Sequence, residues 1–140
     1  MKILKPDRKK STKIPLYNSN IKAGFPSPAD DFIDLSLDLN EHLIDHPEAT
    51  FFVKVSGDSM INAGIHQDDL LIVDRSFIAE NDQIVIAILN GEFTCKRYHK
   101  DSKGNITLLP ENENYKPIKI TESMDFMVWG VVTYVIHKTN

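Results

Sequence analysis

Several things are missing from this sequence, and each absence excludes a class of protein. Cysteine occurs once, at Cys95, so no intramolecular disulfide framework can staple the fold. No run approaches the roughly 20 apolar residues that a membrane-spanning helix requires. The first residues are charged with no apolar segment behind them, which is not the build of a secretory signal. There is no P-loop, no dinucleotide fingerprint and no Gly-X-Ser-X-Gly elbow. The expectation is a soluble, cytoplasmic protein with no membrane contact. Its 140 residues, 41% of them hydrophobic, are enough for one domain with a real core.

The net charge of −4 conceals an asymmetry. Residues 1–22 carry seven basic side chains (Lys2, Lys5, Arg8, Lys9, Lys10, Lys13, Lys22) against one acid, Asp7, so the remaining chain holds −10. A basic arm on an acidic body can reach a partner bound to nucleic acid, fold back on its own domain, or simply stay solvated. Pro6 and Pro15 interrupt it, and no apolar period runs through it, so it reads as extended or disordered.

At Ala23-Gly24-Phe25-Pro26-Ser27-Pro28 each proline biases the residue before it towards an extended conformation. Gly24 gives little steric cover. Such a stretch suits a scissile bond between Ala23 and Gly24, and would serve equally well as a hinge. Asp38 followed by Glu41 marks a short helix start, expected to pack against the sheet. Beyond residue 47 strands dominate: 50–55, 69–74, 83–89, 92–99, 105–109, 118–120 and 126–137. Asn90-Gly91 between apolar runs signals a two-residue hairpin. The pattern predicts a mostly-β domain, barrel or sandwich-like.

Two residues carry the candidate chemistry. Phe51, Phe52, Val53 and Val55 form a strand that breaks at Gly57 into a polar turn presenting Ser59. That is a place for a nucleophile, and also for an ordinary turn serine. Lys96 lies in a strand where Thr94, Lys96 and Tyr98 alternate onto one face. Burial would push its amine down from ~10.4; a value near 7 needs about 4.6 kcal/mol of desolvation and neighbour effects. The neutral amine could then deprotonate a serine. Most strand lysines instead face water. His42 and His46 have the i,i+4 spacing of a helical zinc pair but no further ligand nearby, so they read as surface histidines. Cys95 reads as core packing.

Taken together, Gly24-Phe25-Pro26-Ser27-Pro28-Ala29, Asp38-Leu39-Asn40, Ser56-Gly57-Asp58-Ser59-Met60-Ile61, Asp69-Leu70-Leu71-Ile72-Val73-Asp74, Gly91-Glu92-Phe93-Thr94 with Lys96, and Gly130-Val131-Val132 resemble the LexA-like self-cleaving serine peptidases. The motifs run in order over residues 24–132. The resemblance implies bent β-sheets with one short helix, and an arm (1–23) removable from a peptidase domain (24–140). It implies Ser59 as nucleophile, Lys96 as general base, cleavage between Ala23 and Gly24, and an oxyanion hole from the backbone N–H groups of Asp58 and Ser59. No metal or cofactor is needed. It further implies a homodimer, stimulation by a RecA–single-stranded DNA filament, and service as accessory subunit to an error-prone Y-family translesion polymerase in the SOS response. Only about 23 mostly polar residues precede the cleavage motif, so no helix-turn-helix and no sequence-specific DNA binding are expected. Two other classes compete: a non-catalytic dimeric module regulating the polymerase, and a general protease acting on other proteins.

Overall fold

The computed structural model describes residues 1–6, 13–17 and 33–140. Met1–Pro6 with His46–Asn140 form one compact unit; the described residues between Asp7 and Asp45 belong to a second. The proposed scissile bond at Ala23-Gly24 lies outside the described residues.

In the second unit, β2 (Lys13–Tyr17) pairs antiparallel with β3 (Ile33–Asp38), and α1 (Leu39–Leu43) follows directly. The Asp38 carboxylate caps α1, accepting the Asn40 amide hydrogen at 2.9 Å, as the Asp38/Glu41 spacing predicts. Contrary to expectation, α1 buries none of its residues, and Leu39 is exposed. Five residues are too few to build an apolar stripe.

The first unit is an open antiparallel sheet in the order β1-β4-β5-β10-β6-β7-β8-β9. Its strands are β1 (Lys2–Leu4), β4 (Thr50–Lys54), β5 (Leu70–Asp74), β6 (Ile84–Leu89), β7 (Glu92–Lys100), β8 (Ile106–Leu109), β9 (Ile118–Lys119) and β10 (Phe126–Ile136). The strands expected from residue 50 onwards are present, their ends within a residue or two. Asn90 and Gly91 both take positive φ (50° and 82°) between the paired residues Leu89 and Glu92, so the hairpin turn is as read.

The apolar runs are continuous because the sheet is covered on both faces. On β6, Ile86 joins one buried cluster with Val53, Val55, Met60, Ile65, Leu71, Val73 and Cys95. Its neighbours Val85 and Ala87 point the other way, into a second cluster with Tyr98, Leu108 and Val131. β10 lies between β5 and β6 and shifts register against each, between Val132 and Tyr134 and between Val128 and Gly130. The arm also contributes to this sheet: β1 pairs with β4 (Lys2↔Lys54, Leu4↔Phe52), and Ile3 packs against the first cluster. Among the described residues, Lys2–Leu4 at the start of the basic segment thus pair with the edge of this unit.

Candidate active site

β4 and β7 deliver the two candidate residues. After Lys54 the chain leaves the sheet and turns at Gly57, whose φ of 90° is the left-handed conformation that glycine adopts without strain. Ser59 follows, and a short 3-10 turn, Ile61–Ala63, closes the segment. Val55, Met60 and Ile65 are buried, so apolar anchors on both sides fix the turn to the core. Ser59 and Lys96, 37 residues apart, meet: Lys96 Nζ lies 3.0 Å from Ser59 Oγ.

Lys96 is buried, with 8% of its surface exposed. Its Nζ also contacts Thr94 Oγ1 at 2.8 Å and the Cys95 carbonyl oxygen at 3.1 Å. An ammonium group would donate to all three oxygens. A neutral amine has two N–H bonds and one lone pair, so it can donate to Thr94 and Cys95 and aim the lone pair at the Ser59 hydroxyl. Desolvation lowers the Lys96 pKa, with the neighbouring Cys95 sulfur opposing. Burial pushes the Cys95 thiol up to about 12, so it is uncharged near neutral pH and its opposition lapses. Cys95 is packing in the core, as read, and a poor nucleophile.

Beside the pair lies an open cleft of about 230 Å³, lined by residues 55–60, Ile65, Phe93 through Lys96, Tyr115 and Met1. Among the described residues, the amide hydrogens of Asp58 and Ser59 meet no acceptor. Their carbonyl sides are held from behind by the segment after β8, which sequence reasoning missed. Glu111 N–H donates to Ser59 O at 2.8 Å, Asn112 Nδ2 to Asp58 O at 2.9 Å, and Tyr115 Oη to Asp58 Oδ1 at 2.6 Å. Glu111 is itself tied to Arg97, next to Lys96, at 2.6 Å. The 3-10 turn adds Asn62 N–H to Glu111 O at 2.8 Å. A polar Glu-Asn-Glu-Asn-Tyr run signals only a loop, so nothing local in it announces this clamp.

The histidine pair His42 and His46 does not form a three-ligand cluster among the described residues. His46 Nδ1 instead lies 2.6 Å from Asp74 Oδ2 and 3.1 Å from Ser76 Oγ. No helix among the described residues is long and apolar enough to cross a membrane.

The chain as a whole belongs with a known class. The chain is a member of the S24 peptidase family: residues 15–133 match the family described as Peptidase S24-like. That family includes LexA and is one of self-cleaving serine peptidases tied to the SOS response. The chain is 46% identical to protein SamA of Salmonella typhimurium over 125 residues, 89% of this chain and 86% of the relative. It is 42% identical to protein MucA of Escherichia coli over 124 residues, covering 86% and 82%. It is 38% identical to the LexA repressor of Clostridium perfringens over 119 residues, covering 85% of this chain and 58% of that one. SamA and MucA are UmuD-like proteins, and the likeness to them extends over most of the chain.

Proposed function

We propose that this protein is an autoproteolytic serine endopeptidase that cuts its own chain between Ala23 and Gly24 with a Ser59–Lys96 dyad. The observation that carries the reading is the 3.0 Å contact between a buried, pKa-lowered Lys96 and Ser59 in an open cleft.

Neutral Lys96 takes the Ser59 proton as Oγ attacks the Ala23 carbonyl carbon. The N–H groups of Asp58 and Ser59 stabilise the oxyanion of the tetrahedral intermediate. Lys96 then returns the proton to the leaving Gly24 nitrogen, and the carbon–nitrogen bond breaks. An acyl-enzyme between Ser59 and Ala23 remains. Water, deprotonated by Lys96, attacks it, and Ser59 Oγ leaves with that proton. The products are the arm 1–23 with a new carboxylate and the domain 24–140 with a new amine. No cofactor takes part. Thirty-five residues separate Gly24 from Ser59 and span at most about 120 Å extended, so reach permits cleavage within one chain or in a dimer partner.

We place the reaction in the SOS response. A RecA–single-stranded DNA filament would favour the conformation with the scissile segment docked in the cleft. The shortened homodimer would then serve an error-prone translesion polymerase as accessory subunit. Support for this part is the similarity to the UmuD-like relatives and to LexA.

The test is mass spectrometry of purified protein incubated at a series of pH values between about 7 and 10, up to the ordinary lysine range, with Ser59→Ala and Lys96→Ala alongside. A fragment beginning at Gly24 that forms faster at higher pH and is absent from both variants is the expected result. A wild type that stays whole at high pH and with RecA filaments would overturn the peptidase reading in favour of a binding subunit.

A further inference from the structure

We propose that His66, Asp69 and His137 form a binding site for a divalent transition ion of the zinc type. The inference is independent of the peptidase reading.

The topology builds this cluster. β5 and β10 pair antiparallel, and their last partners are Leu70 and Ile136. The residue just before β5, Asp69, therefore falls beside the residue just after β10, His137, although 68 positions separate them. His66 comes from the loop that leads into β5. One ligand atom from each of the three lies within 4.8 Å of the others. His137 Nδ1 is 2.6 Å from Asp69 Oδ1, and His66 Nδ1 is 3.6 Å from Asp69 Oδ2. The two imidazole rings stand 4.8 Å apart, centroid to centroid.

One atom is unaccounted for by the protein itself. His66 Nδ1 is buried and has no hydrogen-bond partner among the described residues. Leaving such an atom unsatisfied is unfavourable, and a metal ion in the cluster would satisfy it. The carboxylate is already oriented as a ligand should be: Asp69 is 2% exposed, and its Oδ2 accepts the His66 amide hydrogen at 2.7 Å. Both imidazoles are close to half exposed, so an ion has a path in and a water can complete the coordination.

The donor set selects the ion. Two imidazole nitrogens and one carboxylate oxygen suit zinc, nickel or copper, whereas calcium and magnesium take oxygen ligands. Tetrahedral zinc with bonds of about 2.0–2.1 Å holds its ligand atoms roughly 3.3 Å apart. The His66–Asp69 separation is close to that already. The His137–Asp69 hydrogen bond is shorter and would open slightly, its shared proton giving way to the ion. The ion would join the end of β10 to the loop 64–69. That loop also supports the serine turn: Gln67 Oε1 accepts the Gly57 amide hydrogen at 2.6 Å, and Asp68 and Asp69 exchange backbone hydrogen bonds with Val55.

The experiment uses tag-free full-length protein carrying Ser59→Ala, which keeps the chain whole whichever way the peptidase reading falls. Zinc is titrated against a chromophoric chelator, cobalt(II) absorption reports coordination, and melting is followed with and without zinc. The expected result is one zinc per chain, weakened at least tenfold by His66→Ala and by His137→Ala, and unchanged by His99→Ala. Tetrahedral cobalt bands and a zinc-dependent rise in Tm should accompany it and disappear in the same two variants. Absence of zinc binding in the parent protein, or binding that survives both substitutions, overturns the site and leaves His137–Asp69 as a hydrogen bond only. Neither histidine is buried in the core, so the variants are expected to fold.

Discussion

Asn112 Nδ2 donates to the Asp58 carbonyl oxygen across 54 residues of chain. In a trans peptide the C=O and the following N–H point in opposite directions. Holding the Asp58 carbonyl from behind therefore turns the Ser59 N–H forward, towards the cleft. The loop after β8 thus sets the direction of one proposed oxyanion donor without touching the reacting atoms. Asn112→Ala should slow self-cleavage by about ten- to a hundredfold, the scale expected when a catalytic element is displaced by about an ångström. Far-UV circular dichroism and Tm should hardly change. A cleavage rate equal to the wild type's would show that Asn112 does not position the turn.

The pH dependence follows from Lys96. Its folded pKa lies below its unfolded value because burial disfavours the charge. Between the lowered folded value and about 10.4 the unfolded chain binds more protons, so this group's contribution to stability rises with pH. Below that window the folded state carries the full cost of a buried ammonium. Lys96→Met should abolish cleavage yet raise stability at pH 6 by about 1–2 kcal/mol, the usual gain when a buried charge gives way to an apolar group. Denaturant melts of Ser59→Ala with and without Lys96→Met would show the gap closing as pH rises. A gap independent of pH would mean that the folded and unfolded chains bind this proton equally, so that burial does not lower the Lys96 pKa.

Asp74 anchors the end of β5. Burial raises its pKa, but hydrogen bonds from the Ser76 hydroxyl, His46 and the Ser76 amide outweigh this and hold the carboxyl below its ordinary range. The folded value is depressed, so the contribution is full above the unfolded pKa of about 3.9 and is lost as pH falls through the folded value. Asp74→Asn should cost about 1–3 kcal/mol near pH 7. The difference from wild type should shrink below about pH 4. Urea unfolding at pH 7 and pH 3 distinguishes this from a pH-independent packing loss.

Gly130 sits on β10 against the end of β5. A Cβ there would come 2.5 Å from Val73 Cγ1 and 3.2 Å from Arg75 Cγ. Gly130→Ala should therefore cost about 1–3 kcal/mol, the range for overpacking a filled interior. Thermal melting checks it, and a Tm at or above the wild type's would show that the sheet relaxes freely.

The parts of this molecule that local pattern specifies were readable from the chain. Asn90-Gly91 needs only its own backbone preferences to turn. The 84–89 run needs only the burial of both faces. Asp38 needs only the next two residues to cap α1. Ser59 and Lys96 were individually ambiguous, and the motif series around them singled them out, since no short-range rule states that β7 faces the turn after β4. Asn112 and Tyr115 were missed because a polar loop carries no mark of what it grips. His66, Asp69 and His137 were missed because their meeting depends on β10 lying beside β5 rather than beside its neighbour in sequence. β1 escaped because three residues with one inward side chain, Ile3, make no period. The double register shift in β10, against β5 and against β6, likewise leaves no local trace.

The pairing of β1 bears on what the proposed cleavage would release. Lys2–Leu4 occupy the edge of β4, Lys5 Nζ donates to the Glu48 carbonyl at 2.9 Å and lies over the Phe51 ring, and Met1 lines the cleft. On the proposed chemistry, hydrolysis at Ala23–Gly24 would turn this edge contact from an intramolecular tether into a complex of two molecules. The effective concentration of the tether would vanish, and strand pairing alone, β1 on β4 and β2 on β3, would be left to hold the arm against dilution. Scission and departure are then separate events, and only the second uncovers the β4 backbone for another chain to pair with. The activated state would be defined by dissociation, so its lifetime depends on how much free arm peptide remains nearby.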